Sequence, residues 1–184
     1  MANPGQTIAG LVMAAAMLTA PAAAATSGTE RAEVLHAHLR PLSPAIGALI
    51  ARASEGSATF RGLVGAVNAS DGIVFIQEGD CIDYAHACFV GVTMVGSSRA
   101  LWVRVNVKLG DDDLDVMGSI AHELRHTLEV LASPSVTSTV AMLSFYRWAG
   151  FSFSARGYET HEAIDAGNAV RTELRASARR PRAN

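Results

Sequence analysis

Residues 122–126 read His-Glu-Leu-Arg-His and lie inside residues 114–132, whose apolar periodicity predicts a long helix. Two histidines four positions apart share one helix face, so the imidazoles of His122 and His126 can reach one metal ion. Glu123 points about a quarter turn away, where its carboxylate can reach a water on the metal without occupying a metal position. The metal lowers the pKa of that water towards about 7, and the carboxylate accepts its proton during attack on a carbonyl. The pattern therefore predicts a metal-dependent hydrolase with Glu123 as its base.

At this helix the chain resembles the zincin metallopeptidases, whose defining motif is the same His-Glu-x-x-His pattern. In the metzincin branch a Gly ends the helix and a third His follows; here residues 127–130 are Thr-Leu-Glu-Val, so that branch does not fit. The gluzincin-like branch takes its third ligand from a Glu on a later helix. Residues 158–163, Tyr-Glu-Thr-His-Glu-Ala, are expected to open the last helix, so either Glu159 or Glu162 can fill that role.

Residues 72–174 also resemble small exported bacterial proteins in which the same helix is followed by a Glu-Thr segment with alanines. That resemblance favours Glu159 as the third ligand and supplies no substrate. Together the resemblances imply one Zn²⁺ ion held by His122, His126 and Glu159. Glu162 remains the main alternative ligand, followed by Glu129 and His161.

Neighbouring polar residues have further candidate roles. Glu129 lies three positions beyond His126 on the same helix face, so its carboxylate can instead orient a ligand imidazole. Asp165 is a second candidate for that orienting role. Tyr158 or His161 can stabilise the oxyanion that forms during attack on a carbonyl.

The remaining periodicity predicts an α+β fold in which a small antiparallel or mixed β-sheet packs on helices, with the motif on a long central helix, as in zincins. Helices are expected at residues 29–39, 44–53, after a cap at Ser57, and at 114–132, 136–149 and 159–177. Strands are expected at residues 73–77, 89–95 and 101–107, with a turn at 97–99. An edge strand of zincins commonly binds extended peptide by main-chain pairing. Strand 101–107 either takes that place, with Trp102, Arg104 and Asn106 facing the cleft or solvent, or is an ordinary amphipathic strand.

The N-terminal segment has the layout of a secretory signal peptide. Its first 25 residues carry no charged side chain, and Pro21 and four alanines supply a cleavage context before Thr26. No Lys or Arg precedes the apolar run, so an uncleaved membrane anchor is the alternative. We expect residues 1–25 to be removed, leaving residues 26–184 as one secreted or periplasmic domain. Residues 26–57 can act as a pro-segment that shields the cleft.

The two cysteines, Cys81 and Cys88, are predicted to form a disulfide, because an exported chain passes through an oxidising compartment. The alternative, a metal site, fits poorly because zinc sites usually space paired cysteines more tightly. The other histidines, at positions 36, 38 and 86, are scattered and expected at the surface.

The formal net charge of -2 gives no electrostatic case for nucleic acid. We expect a peptide or protein substrate and no stable membrane association after signal cleavage. Two alternatives remain for the function. One is a zincin fold that serves as a non-proteolytic metal-binding or protein-interaction module, and the other is a metal-dependent cell-wall amidase.

Overall fold

The computed structural model describes residues 38–82, 85–107, 112–154 and 157–179, which form a mixed α+β fold. The five helices within these residues are α1 (Pro44–Gly56), α2 (Ala58–Asn68), α3 (Asp113–Leu131), α4 (Thr139–Ala149) and α5 (His161–Ala178). The strands are β1 (Leu39–Pro41), β2 (Gly72–Glu78), β3 (Ala87–Val95), β4 (Ser98–Val105), β5 (Phe151–Ser154) and β6 (Gly157–Glu159). None of the described helices is long and apolar enough to cross a bilayer.

The predictions for the N-terminus fall on residues 1–37, which lie outside the described residues. They comprise the signal peptide or anchor, the start near Thr26, the first part of the pro-segment, His36 and most of the helix at residues 29–39. The end of that helix prediction is wrong, because Leu39 lies in β1. There it pairs with Val74 of β2, so hydrogen bonding across the sheet replaces the predicted helical turn.

The main sheet has the strand order β1-β2-β4-β3, with β3 at one edge. The β1–β2 and β2–β4 pairs are parallel, and the β3–β4 pair is antiparallel, so the sheet is mixed. Alternate residues along β2 and β4 are buried, and they form one apolar face against the helices: Val74, Ile76, Leu101, Val103 and Val105. The predicted alternation of strand 101–107 is therefore confirmed as far as Val105.

The edge strands are β1 and β3, so the hypothesis that residues 101–107 form a peptide-binding edge strand is wrong. β4 lies between β2 and β3 because the β3–β4 hairpin returns it to pair with β2 as well. Trp102 faces away from the buried side and stacks on Phe75 at a centroid distance of 4.6 Å. Arg104 alternates onto the same outer face, and Asn106 donates to Asp80 at 3.2 Å. These side chains face outward instead of lining a cleft beneath the sheet.

Each described helix begins at a residue whose side chain accepts a hydrogen bond from a backbone N–H of the first turn. These N-caps are Ser43, Ser57, Asp112, Ser138 and Thr160. The predicted cap at Ser57 is thus confirmed. The helix predicted to begin at residue 136 begins three residues later, because Ser138 takes the cap position.

Arg99 ties the sheet to the end of α3. It was expected in a turn, but the turn is confined to Gly96 and Ser97, with Gly96 at φ 62°, and Arg99 belongs to β4. Its guanidinium is buried and donates to the carbonyls of Val130 and Leu131 in the last turn of α3 and of Ser133 just after it. Asp71 completes the contact at 2.7 Å. The C-terminal end of α3 is therefore fixed against β4.

α5 crosses α3 at a close approach between two glycines. A Cβ atom at Gly167 would lie 3.0 Å from the carbonyl oxygen of Gly118 and 3.3 Å from the Cβ of His122. A Cβ at Gly118 would in turn meet the side chain of Arg171. The two glycines therefore let the backbones approach closely at the level of His122.

Residue 159 does not open the last helix, as had been expected. Glu159 ends β6, which pairs with β5 in a small antiparallel hairpin, and α5 begins only at His161 after the cap at Thr160. The Thr160 hydroxyl accepts from the N–H of Ala163 and so sets the helix start after the glutamate. The ligand candidates Glu159 and Glu162 thus belong to different elements.

Cys81 and Cys88 form the predicted disulfide, with an S–S distance of 2.07 Å and a Cα–Cα distance of 5.9 Å. The bond joins the segment after β2 to β3 and excludes the alternative of a cysteine metal site.

Candidate metal centre

His122 and His126 on α3 and Glu159 at the end of β6 form one compact group. The His122 Nε2 atom lies 2.9 Å from Oε2 of Glu159 and 3.2 Å from Nε2 of His126. The distance from Nε2 of His126 to Oε2 of Glu159 is 3.5 Å. Ligand atoms at about 2.0–2.1 Å from a tetrahedral ion are about 3.3 Å apart. The three residues can therefore hold one metal ion, and no other such group of three occurs in the described residues.

One candidate ligand atom of this group lacks a hydrogen-bond partner among the described residues. Oε2 of Glu159 is buried and forms no hydrogen bond with acceptable geometry to any described residue. A buried carboxylate oxygen without a hydrogen bond is costly, and coordination to a cation removes that cost. Two imidazole nitrogens and a carboxylate oxygen are also a donor set that zinc commonly takes. The residues present thus fit a divalent metal ion.

Glu129 connects the two elements that carry this group. Its Oε2 lies 3.1 Å from Nδ1 of His126, the imidazole nitrogen on the far side from Glu159. Its Oε1 accepts a hydrogen bond from the hydroxyl of Thr160, at 2.8 Å, directly after Glu159. Glu129 therefore contacts the His126 imidazole as predicted for an orienting residue, and it lies outside the group of three.

Tyr146 on α4 extends this network, and sequence reasoning missed it. Its hydroxyl donates to the carbonyl oxygen of His126 at 2.8 Å and lies 3.4 Å from Oε2 of Glu129. Its ring packs edge-on against the imidazole of His126 at a centroid distance of 5.1 Å. Burial and the nearby carboxylates raise the pKa of Tyr146, so it stays a neutral donor. Its only sequence signal is apolar periodicity on α4, which does not distinguish a core tyrosine from a site tyrosine.

The charges of the group are strongly coupled. Burial disfavours a charged imidazole at His126, but the carboxylates of Glu129 and Glu159 outweigh it and raise the pKa to about 9. Burial raises the pKa of Glu159, but attraction to His122 and His126 outweighs burial and lowers the pKa to about 2. The fold therefore holds a carboxylate against two imidazoles, and a metal ion would replace protons there.

Glu123 lies beside this group and is not part of it. Its side chain is buried, with 8 % of the residue exposed. Burial raises the pKa of its carboxyl, while His126 and His122 lower it in part. The backbone N–H of Phe89 on β3 also stabilises the charged form. Glu123 thus faces the edge strand of the sheet from within the protein.

β3 changes register next to this contact. Its pairing with β4 shifts between Phe89 and Gly91, which leaves an extra residue at the edge. Bulges at strand edges re-aim backbone groups and are common beside functional sites. Farther along the edge, the Thr139 hydroxyl contacts both backbone groups of Val92 at 3.2 Å. The backbone of β3 is therefore irregular where Glu123 meets it and covered at Val92.

The remaining sequence candidates lie away from the group. Glu162, His161 and Asp165 are exposed on the first turns of α5, so none reaches the two histidines as a ligand or an orienting residue. His161 packs on Phe151 at a centroid distance of 4.9 Å. Tyr158 is partly buried against the apolar core. Neither His161 nor Tyr158 is placed beside Glu123 by any contact in the described residues.

The histidines predicted to be scattered also stay apart from the group. His38 and His86 are partly exposed, as expected for residues at the surface. Neither belongs to a group of possible metal ligands among the described residues.

No protein-family model matches the chain, and comparisons with curated proteins and with solved structures find no match either. The resemblance of the motif helix to zincins thus rests on the sequence alone. The geometry of the site supports a group able to hold a metal ion, formed from α3 and β6.

Proposed function

We propose that this protein is an exported zinc-dependent metallopeptidase-like hydrolase of gluzincin-like design. The observation that carries the proposal is the position of Glu123. It is buried beside the group formed by His122, His126 and Glu159 without belonging to it, and a site that only stores metal has no use for such a carboxylate. The disulfide supports export, because disulfides persist outside the cytoplasm.

In this mechanism His122, His126 and Glu159 would hold the ion, which would supply Lewis-acid polarisation of a water and a carbonyl. Glu123 accepts the proton of the attacking water and passes it to the leaving amine. Burial raises the pKa of its carboxyl, which makes the carboxylate a stronger base for the first step. Glu129 and Tyr146 hold the His126 imidazole in position through its Nδ1 side and its backbone.

We further propose that the substrate is an extended peptide that approaches along the edge of β3. An open strand edge binds peptide by main-chain hydrogen bonds. The bulge between Phe89 and Gly91, next to Glu123, supports this path for the peptide, and Thr139 would limit the path at Val92. The substrate carbonyl would then lie between Glu123 and the three ligand residues.

Glu123→Gln tests the proposal. The amide keeps the shape of the side chain but cannot accept a proton, so we expect unchanged zinc content and about a 10²–10⁴-fold loss of turnover. Turnover is measured as cleavage of a peptide library by mass spectrometry, and zinc by atomic emission. Glu162→Gln is the matched control, because Glu162 is exposed and away from the site. Equal turnover in both variants would remove Glu123 as the base. A wild-type protein that holds zinc but cleaves no peptide would contradict the peptidase assignment.

A further inference from the structure

α4 exposes an apolar face that no described residue covers. The helix buries only Met142 and Tyr146. On the other side the exposed fractions are 74 % for Val140, 48 % for Leu143 and 91 % for Trp148. At about 100° per residue these side chains and Arg147 share one side of the helix. We call this set, Val140, Leu143, Arg147 and Trp148, the α4 face.

The charge around the α4 face is unusual for this chain. Residues 130–158 contain no Asp or Glu, although the chain as a whole has 17 acidic and 15 basic residues. Arg147 lies within the face and forms no ion pair with any described residue. The surface is thus apolar and aromatic with a cation among the apolar side chains, and the segment that carries it contains no carboxylate.

We propose that the α4 face binds reversibly to the surface of a bilayer that contains anionic phospholipids. A helix lying in the membrane interface buries its apolar side chains just below the headgroups and keeps its cations beside lipid phosphates. Trp prefers the headgroup level, because its ring is apolar and its N–H is polar. Trp148, Val140, Leu143 and Arg147 supply these elements on one surface.

A second copy of the chain fits this face less well. A two-fold interface brings the same patch of both copies together, so Arg147 would approach its own counterpart. The α4 face has no carboxylate to neutralise the pair, and buried like charges are unfavourable. Lipid phosphates supply the missing negative charge.

This binding would place the candidate metal centre near the membrane. α4 contacts the metal-bearing helix directly, through the hydrogen bond from Tyr146 to the carbonyl of His126. It also packs against β6, which carries Glu159. Substrates at the membrane surface would thus be presented to the site. The sequence predicted no stable membrane association, and the proposal concerns a reversible contact that holds whether or not the site is a peptidase.

Trp148 reports directly on this contact. In the full chain as exported, Trp102→Phe leaves Trp148 as the sole tryptophan, and phenylalanine preserves the stacking on Phe75. With vesicles of phosphatidylcholine and phosphatidylglycerol we expect a shift of the Trp148 emission to shorter wavelength. Quenching by acrylamide should fall about twofold or more, and vesicles of phosphatidylcholine alone should give a much smaller change. An unchanged Trp148 emission overturns the proposal, even if the protein sediments with vesicles through its N-terminus.

Variants separate the α4 face from other surfaces. Val140→Ser/Leu143→Ser/Trp148→Ser should weaken the vesicle affinity at least about tenfold, by removing exposed apolar area. Arg147→Gln should weaken it about fivefold. Met94→Ser/Val95→Ser is the matched control, since these residues are 42 % and 63 % exposed at another site, and its affinity should equal that of the wild type. Circular dichroism checks that each variant is folded. Equal loss in the control variant, or a Trp148 already shielded before vesicles are added, overturns the proposal.

Discussion

Glu159 and Glu162 are three residues apart, and the end of one strand separates their roles. Glu159 ends β6 and is partly buried against His122 and His126, while Glu162 is exposed on α5. Both are glutamates beside Thr160, so composition cannot distinguish them. The strand end places one carboxylate against the imidazoles, and the helix start turns the other towards solvent.

Glu159→Ala should therefore lose metal and Glu162→Ala should not. Removal of one of three protein ligands leaves two imidazoles, so we expect zinc affinity to fall by about 100-fold or more. Competition with a fluorescent zinc chelator measures the affinity in both variants. Equal affinities would show that Glu159 is not a ligand, whatever the activity of the protein.

Metal uptake should depend on pH because His126 carries a proton in the metal-free protein. Its pKa is raised from 6.5 to about 9, so a proton occupies the imidazole at neutral pH and the metal must displace it. Zinc affinity should rise about tenfold per pH unit for each displaced proton, up to about pH 9. In chelator-treated protein, the stability that this raised pKa contributes is complete below pH 6.5 and lost as pH rises through about 9.

Zinc titrations at intervals between pH 6 and pH 9 measure this slope. In Glu129→Gln the imidazole loses a carboxylate partner, so its pKa falls and the slope should flatten in the upper half of the range. An affinity independent of pH would contradict the proton displacement at His126.

At the scale of elements, the contact of α3 with α5 sets the position of His122. Gly167 lies against the Gly118 carbonyl and the Cβ of His122. α5 also follows directly on Glu159 and Thr160. A shift of α5 against α3 would thus change the distance between His122 and Glu159.

Gly167→Ala should destabilise the protein and weaken zinc binding together. The new Cβ would lie 3.0 Å from a backbone oxygen, so the helices must separate, at a cost of about 1–3 kcal/mol in the free energy of unfolding. Gly62→Ala is the matched control, because Gly62 is exposed in α2 with open space around it, and alanine should stabilise that helix by about 0.5–1 kcal/mol. Urea denaturation measures the change in the free energy of unfolding in both variants. A stabilised Gly167→Ala protein would show that the close approach is not required.

The sequence predicted the elements better than their arrangement. The motif helix was predicted to begin at Leu114 and begins at Asp113. The prediction was close because apolar periodicity and helix capping depend on neighbouring residues. Strand pairing depends on distant residues, so β4 was considered as an edge strand although β2 and β3 flank it. The start of α5 was also missed, since the β5–β6 pairing draws Glu159 out of the helix.

Some residues of the candidate site were predicted from local sequence, and others were not. His122, Glu123 and His126 lie within one turn and a half of a helix, so local spacing was enough to bring them together. Glu159 was predicted only through the resemblance to other proteins, because its approach to the two histidines depends on the hairpin that follows α4. Tyr146 and the backbone of Phe89 could not be found, since each reaches the site only through tertiary packing.

At the scale of the whole molecule, a bound metal ion would join parts of the chain that are separate in sequence. α3 is packed on the sheet and held there by Arg99, while Glu159 belongs to the small hairpin that precedes α5. An ion held by all three residues would connect the hairpin and α5 to the sheet through α3. Folding and metal binding should then be linked, because the unfolded chain does not bring residues 122, 126 and 159 together.

Chelation should therefore lower the melting temperature of the wild-type protein. An ion present at about 100 times its dissociation constant stabilises the folded state by about 2.7 kcal/mol. For a chain of this size that corresponds to about 5–10 °C in Tm, which calorimetry with excess zinc and with chelator measures. Glu159→Ala should show a much smaller difference between the two conditions, whereas Glu123→Gln should show the full difference, because Glu123 lies outside the group of ligands. An equal Tm with zinc and with chelator in the wild type would mean that the three residues do not hold an ion in the folded protein.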